Sequence, residues 1–545
     1  MRKLFALLLT VVTALTCYGA WAEDAESVDP YLLGLALYQS EQRTKDDLAQ
    51  AVEYFRQAAA QGRVDAQRTL GDIYRGGLLG EPDMAAAVDC YEQAAAQDDA
   101  YSLSWLGFIW HNGLSGEADF AKAVDYFERA AMLGDSFSMN ALGNVYRAGD
   151  LDEPDLAKAV AYYEQAAALG NPESQHALGD IYRGGELGQP DVPKAIQYYE
   201  MAATQNNINS LRNLGDIYRS GELGQPDVPK AVEYYTRAAA LGGVNSQRTL
   251  GHIYRGNELG QPDIDKAIEY YAMAAAQGDI AAQSTLGDIY SGEELREKDW
   301  VKAVEYYTMS AEQGDTYSQS WLGYIYHNGL AGEKNVERAI YWFERGAEQG
   351  DSYSLSALAR LYRSGELGEP DMEKAVGYYE RAAELGDVSS LFTLGRIYRD
   401  GELGEPDFAK AVDYFERAAE QGNAGALYAL GVIYDEGMLG ESDPVKAFGY
   451  YTLAAEEGSS AACYALGEIY HHGKLGLTNT PKAVEYFEQA AERGNSNAMY
   501  VLGNIYRAGE LGEKDLPKAI DWYARAAQSG SEKAQQALDE LQTAE

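Results

Sequence analysis

Histidine and cysteine are the side chains best suited to holding a metal or attacking a substrate, and this 545-residue chain has only six and three of them. His111, His327 and His471 fall at one position of a repeating pattern where arginine stands in eight other copies, among them Arg183, Arg219 and Arg507. A position that accepts arginine is not selected for metal ligation. A cation near a helix C-terminus, favourable by about 0.3–1 kcal/mol, accounts for both residue types. His471 and His472 are neighbours in sequence, and neighbouring helical side chains point apart. Neither a metal nor a cofactor is therefore expected. Cys90 and Cys463 fall ten repeats apart. At about 9–10 Å per helix layer that exceeds by far the roughly 4.4–6.8 Å between the Cα atoms of a disulfide. Both read as buried free thiols. The chain lacks His-Glu-x-x-His, Cys-x-x-Cys and a Gly-x-x-x-x-Gly-Lys phosphate loop. No serine lies three residues before a lysine, so the serine β-lactamase signature is missing too. The loop carboxylates do not follow the spacing of a calcium loop and read as a solvated surface. No catalytic residue is identified, and the chain is expected not to be an enzyme.

The elements that would position any site come from a strict repeat. From Leu70 to Leu502 a leucine at every 36th residue opens a Leu-Gly-x-Ile/Val-Tyr-like pentad, thirteen times without insertion or deletion. Leu358-Ala359 loses the glycine, and Trp110 replaces one tyrosine. With that leucine as position 1, positions 31–36 and 1–7 form helix A, opened by Asp or Asn at position 30, as in Asp279, Asp351 and Asn423. Glycine at position 8, as in Gly185 and Gly221, closes it. A Glu-Leu-Gly-Glu/Gln-Pro-Asp loop leads to helix B, capped by its Asp, with Lys three residues on where a capping box would carry Glu (Asp407, Lys410). Small residues at positions 2, 25, 26 and 33 let the helix axes approach. A period this strict means one two-helix unit stacked many times.

These residues resemble the Sel-one-like repeat (SLR) family, relatives of the tetratricopeptide repeats. The resemblance is carried by Ala-x-x-Tyr-Tyr-x-x-Ala-Ala-x-x-Gly, the following Leu-Gly-x-x-Tyr-x-x-Gly, and Asp-x-x-Lys-Ala after the loop, over residues 31–542. It implies an all-α, right-handed superhelical α-α solenoid of about fourteen 36-residue helix pairs plus a C-terminal capping helix. The A helices would line its concave face. The family's Gly-x-Gly-Val loop is here Gly-Glu-Leu-Gly-Glu-Pro. Some cysteine-rich relatives have been linked to β-lactam binding, but they carry a cysteine pair in most repeats. This chain does not.

Copies within one chain can be compared with one another. Positions 33, 1, 4 and 5 share one face of helix A and are nearly fixed, whereas positions 32, 35 and 3 vary widely on the opposite face, which also carries position 6. The variable face is rich in aromatics and arginine, the composition of binding surfaces. The candidate partner-binding residues are Arg248, His252 and Arg255; Tyr317, Trp321, Tyr324 and His327; Tyr353, Arg360 and Arg363; Arg396 and Arg399; and Phe392, Tyr428, Tyr464 and Tyr500, which should form a ladder. Asp180 with Arg183, and Asp216 with Arg212 and Arg219, are expected to pair within their helices. The arginines of the other copies are read as unpaired and suited to an anionic or carboxylate-bearing ligand. The competing reading is that the rings pack among themselves.

Composition narrows the partner. With 44 basic against 85 acidic side chains the charge is −41, which disfavours nucleic acid and anionic membranes. Met1-Arg2-Lys3, the apolar run Leu4–Cys17 and Ala20-Trp21-Ala22 read as a signal peptide over residues 1–22. A short acidic leader (23–30) and a single solenoid (31–545) would follow. The reading is a monomeric, exported scaffold, periplasmic or secreted, that holds a protein or peptide in its concave groove. The alternatives are a surface factor engaging host proteins and, less favoured, a β-lactam or peptidoglycan hydrolase.

Overall fold

The computed structural model describes residues 29–40, 43–476 and 478–543. The expected signal peptide, most of the leader and Cys17 lie outside the described residues. Within them are 29 α-helices and no strand, and no helix is long and apolar enough to cross a membrane. Two compact units are distinguished, one up to Gln277 and one from Gly278. Both are built in the same way, each helix A packing against the helix B that follows it.

In the fifth repeat, Asn171 caps helix A (Pro172–Gly184) by accepting from Ser174 N–H, and Gly185 ends it in the left-handed region at φ 71°. Asp191 caps helix B (Val192–Thr204) by accepting from Lys194 N–H. Lys194 does not reach back to the cap as a glutamate would. Its ammonium lies 4.0 Å from the centre of the Tyr182 ring, which stacks on Tyr198 at 5.6 Å. The lysine is thus held by a cation–π contact over a tyrosine pair, and the same arrangement recurs in the second unit at Lys410, Tyr398 and Tyr414.

Two repeats depart from the expected closure of helix A. Asn257 and Glu293 stand where others have glycine. There the helices (Val244–Arg255 and Ile280–Ser291) end at position 6, as Val64–Arg75 and Ala100–His111 also do, but on an extended Gly256 or Gly292. Asn and Glu meet a steric penalty at positive φ that glycine avoids.

The core between paired helices centres on one ring. Position 22, on helix B, carries a fully buried Tyr or Phe such as Tyr199, Tyr235, Phe343 or Phe415. It lies against the glycine at position 2 so closely that a Cβ on Gly179 would fall 2.4 Å from Tyr199. Leucine at position 1 and isoleucine at position 4 complete the layer, as in Leu178 and Ile181 or Leu394 and Ile397.

Candidate partner-binding site

A buried phenol hydroxyl needs a partner, and in much of the first unit position 3 of helix A supplies it. In the first unit the hydroxyls of Tyr91, Tyr163, Tyr199 and Tyr235 donate to Asp72, Asn144, Asp180 and Asp216 at 2.8, 2.7, 2.6 and 2.5 Å. Burial and the neighbouring carboxylate push the Tyr199 phenol up. Tyr271 lies 2.8 Å from His252 Nδ1. His252, expected to face a partner, is therefore engaged by the core. Where the ring is Phe127, position 3 is Phe108.

In the second unit Tyr307 still donates to Asp288 at 2.7 Å, but the next repeats release the position. Phe343, Phe415 and Phe487 have no hydroxyl, and their position 3 residues are Tyr324, Arg396 and Glu468. Tyr379 and Tyr451 face Arg360 and Val432, neither of which accepts a hydrogen bond. Tyr523 and Asn504 restore the bond at 2.7 Å.

The released stretch contains a cavity of about 310 Å³ between the A helices Thr316–Asn328 and Ser352–Ser364. Four of the expected residues meet there: Tyr324, His327, Tyr353 and Arg360. Phe343 forms the wall, edge-on to Tyr353 at 6.2 Å. Arg360 is exposed, lies 5.9 Å from the centre of the Tyr353 ring, and has no carboxylate within ion-pair distance among the described residues. Glu366 closes one side, 3.1 Å from His327 Nε2 and 2.5 Å from Lys334 Nζ. Lys334, aided by His327, holds the Glu366 carboxyl below the usual glutamate range. Tyr317, Trp321 and Tyr324 continue the aromatic surface, with Trp321 edge-on to Tyr324 at 5.6 Å and stacked on Tyr307 at 6.0 Å.

Several expected charges are otherwise engaged. Arg363 donates to Glu402 at 2.5 and 2.9 Å, and Arg399 to Asp400 at 2.7 Å, so neither is unpaired. Arg248, His252 and Arg255 also have partners. Arg183 and Arg219 reach Glu222 and Glu258, both at 2.7 Å. Their partners are 39 residues on, in the next repeat's loop, and Asp180 and Asp216 are left to the tyrosines. Arg396, like Arg360, is exposed and has no ion pair among the described residues. Phe392, Tyr428, Tyr464 and Tyr500 are half-buried, each 5.6–5.8 Å from the position 22 ring of its own repeat. Part of their aromatic character is therefore core packing.

The sequence reading missed Phe343 and Glu366. The signals were a phenylalanine in a tyrosine slot and the recurrent 39-residue spacing between a helix A cation and a loop acid. His471 and His472, expected to point apart, have ring centres 4.9 Å apart. Glu468, His471 and His472 place candidate ligand atoms within 4.8 Å of one another. Cys90 and Cys463 are free thiols; Cys463 is fully buried beside Arg493, whereas Cys90, expected to be buried too, is only partly so.

Paired helices repeated in register, with an ordered core face and a variable outer face on helix A, define an α-α repeat protein of the solenoid type. The chain belongs to the Sel1 repeat family, whose model matches fourteen successive segments from 31–62 to 496–531. Proteins of this family are interaction scaffolds and generally not enzymes. Among solved structures it is similar to a protective antigen present in uropathogenic Escherichia coli strains displaying an SLR fold. The identity is 30%, over 84% of this chain and 97% of that one, at a TM-score of 0.55. A Sel1 repeat protein from Oxalobacter formigenes is 29% identical over 57% of this chain and 89% of its own, at a TM-score of 0.50. A search of curated protein sequences returned no match.

Proposed function

We propose that this protein is a non-enzymatic scaffold outside the cytoplasm that binds a protein or peptide along the variable face of helix A in the second unit. The cavity of Tyr324, Tyr353 and Arg360 anchors an acidic side chain or a terminal carboxylate of that partner. One observation carries the reading: over the ninth to eleventh repeats position 3 accepts no hydrogen bond from the core ring and is filled by Tyr324 and by Arg360 and Arg396, which have no carboxylate partner among the described residues. In a chain of charge −41, an exposed lone guanidinium beside aromatic rings selects a carboxylate rather than a cation. Selection of displayed peptides on the full chain tests this. Acidic peptides should be enriched, and Arg360→Ala should lower their affinity by about 2 kcal/mol, the loss typical of an anchor residue. Glu305→Ala, on helix B, should leave it unchanged. Equal binding by Arg360→Ala and the parent would remove the cavity from the reading. Nitrocefin turnover above the buffer rate would overturn the non-enzymatic part.

A second reading, a surface factor engaging host proteins, draws support from the related E. coli protein described as a protective antigen. It expects cleavage by protease added to intact cells, where a periplasmic scaffold is protected.

A further inference from the structure

We infer that Glu468, His471 and His472 form a site for a divalent transition metal of the zinc class. They occupy the last turn of helix A in the thirteenth repeat (Ser460–His472). Residues at i, i+3 and i+4 share a face, and their ligand atoms already lie within 4.8 Å of one another. His472 Nε2 is 3.4 Å from Glu468 Oε2. Tetrahedral zinc, bonded at about 2.0–2.2 Å, sets its ligands roughly 3.3–3.6 Å apart. Closing the remaining gap takes small rotations of side chains that solvent leaves room to move, His472 being 57% and Glu468 30% exposed. A second carboxylate stands beside the site, because Glu510 from the next repeat's loop lies 2.7 Å from His471 Nε2. Metal-bound imidazoles are commonly steadied by such carboxylates. Two imidazoles with carboxylate suit zinc and its neighbours, whereas calcium and magnesium require a shell of oxygens. The strongly acidic surface raises the local concentration of any divalent cation.

The other helices of this kind provide an internal control. His111 and His327 stand at the same position as His471, but Phe108 and Tyr324 replace the glutamate, and Asn112 and Asn328 replace the second histidine. Both asparagines spend their amides on helix carbonyls four residues back, at 2.8 Å. Only the thirteenth repeat, among the described ones, carries ligand-type residues at all three places. With three protein ligands, the metal keeps a coordination position open toward solvent.

Calorimetric titration of the full chain with zinc chloride tests the site, alongside Glu468→Gln, His472→Ala and His327→Ala. One zinc per chain is expected. Affinity should fall at least about tenfold in the first two variants, since even outer-shell partners are worth that much. His327→Ala should match the parent, and calcium should leave the melting temperature unchanged while zinc raises it. Absence of a zinc isotherm, identical isotherms for the parent and His472→Ala, or an equal response to calcium would each overturn the assignment.

Discussion

The repeats of Asp180 and Asp216 and those of Tyr324, Arg360 and Arg396 use the same helix A position for different ends. In the first region, the Tyr199 and Tyr235 rings are buried against Gly179 and Gly215, and an acidic side chain is committed to receiving each hydroxyl. In the second, Phe343 and Phe415 occupy the same place without a hydroxyl, and helix A is free to carry an aromatic or an arginine toward solvent. Loss of the ring oxygen frees position 3 beside Phe343 and Phe415, whereas beside Tyr379, which keeps its hydroxyl, position 3 is Arg360 all the same. The comparison teaches that deleting a polar group from the interior is one way in which binding surface is gained.

The largest effect should come from what the two regions share. Gly179→Ala and Gly323→Ala place a Cβ 2.4 Å from the Tyr199 and Phe343 rings. Both should lose stability toward the upper end of about 1–3 kcal/mol for overpacking. Hydrogen exchange should report the loss within the altered repeat and its neighbours, since repeats contact only those next to them. If one variant is silent, the two regions are not packed alike.

The contrast itself is tested by Asp180→Ala against Arg360→Ala. Removing Asp180 strands the Tyr199 hydroxyl and should cost about 1–2 kcal/mol. Tyr199→Phe in the same chain should restore part of that stability, the remainder belonging to the Asn213 amide, which donates to Asp180 at 3.0 Å. Arg360→Ala should change stability by less than about 0.5 kcal/mol, as expected of a surface substitution. Equal losses would refute the claim that position 3 has been released.

The smallest effect concerns the loop pairs. Arg183 and Arg219 hold the Glu222 and Glu258 carboxyls below their usual value of 4.5. A carboxyl depressed on folding contributes stability that is complete above its unfolded pKa and is lost as pH falls through the lower folded value. Protection of the first unit should therefore decline below about pH 4.5. Arg183→Ala should flatten the decline by a few tenths of a kcal/mol, because these pairs are solvent-screened. An acid profile identical to that of the parent would show the pair contributes nothing.

The helix pairs, their caps and the glycine contact were legible because each depends on residues close in sequence and repeated many times. The release of position 3 was partly legible, since Tyr324 and Arg360 stood out, but for Tyr324 the cause, Phe343, lay 19 residues away on another helix. The arginine partners were misread for a related reason. Sequence reasoning sees neighbours three or four residues off, so Asp180 looked like the partner of Arg183, while Glu222 reached it from the next loop. At His471 and His472 the divergence of adjacent side chains describes where they leave the backbone. It does not fix where flexible, exposed rings come to rest.

The contacts that tie helices and repeats together have fixed sequence offsets: 19 residues from ring to acceptor, 30 between paired glutamines such as Gln175 and Gln205, and 39 from arginine to loop glutamate. Cutting out the 36 residues from Gly179 to Leu214 would join Leu178 to Gly215 and keep the 19- and 39-residue contacts with equivalent partners, while Gln175 would meet Leu241 in place of Gln205. The two blocks support such an exchange, for Leu178–Ala195 and Leu214–Ala231 differ only at Gly184 and Ser220. Unequal recombination between gene copies this alike can lengthen or shorten the protein in whole steps with most contacts at the junction preserved. Selection on the reach of the molecule can then act on a ready supply of foldable lengths.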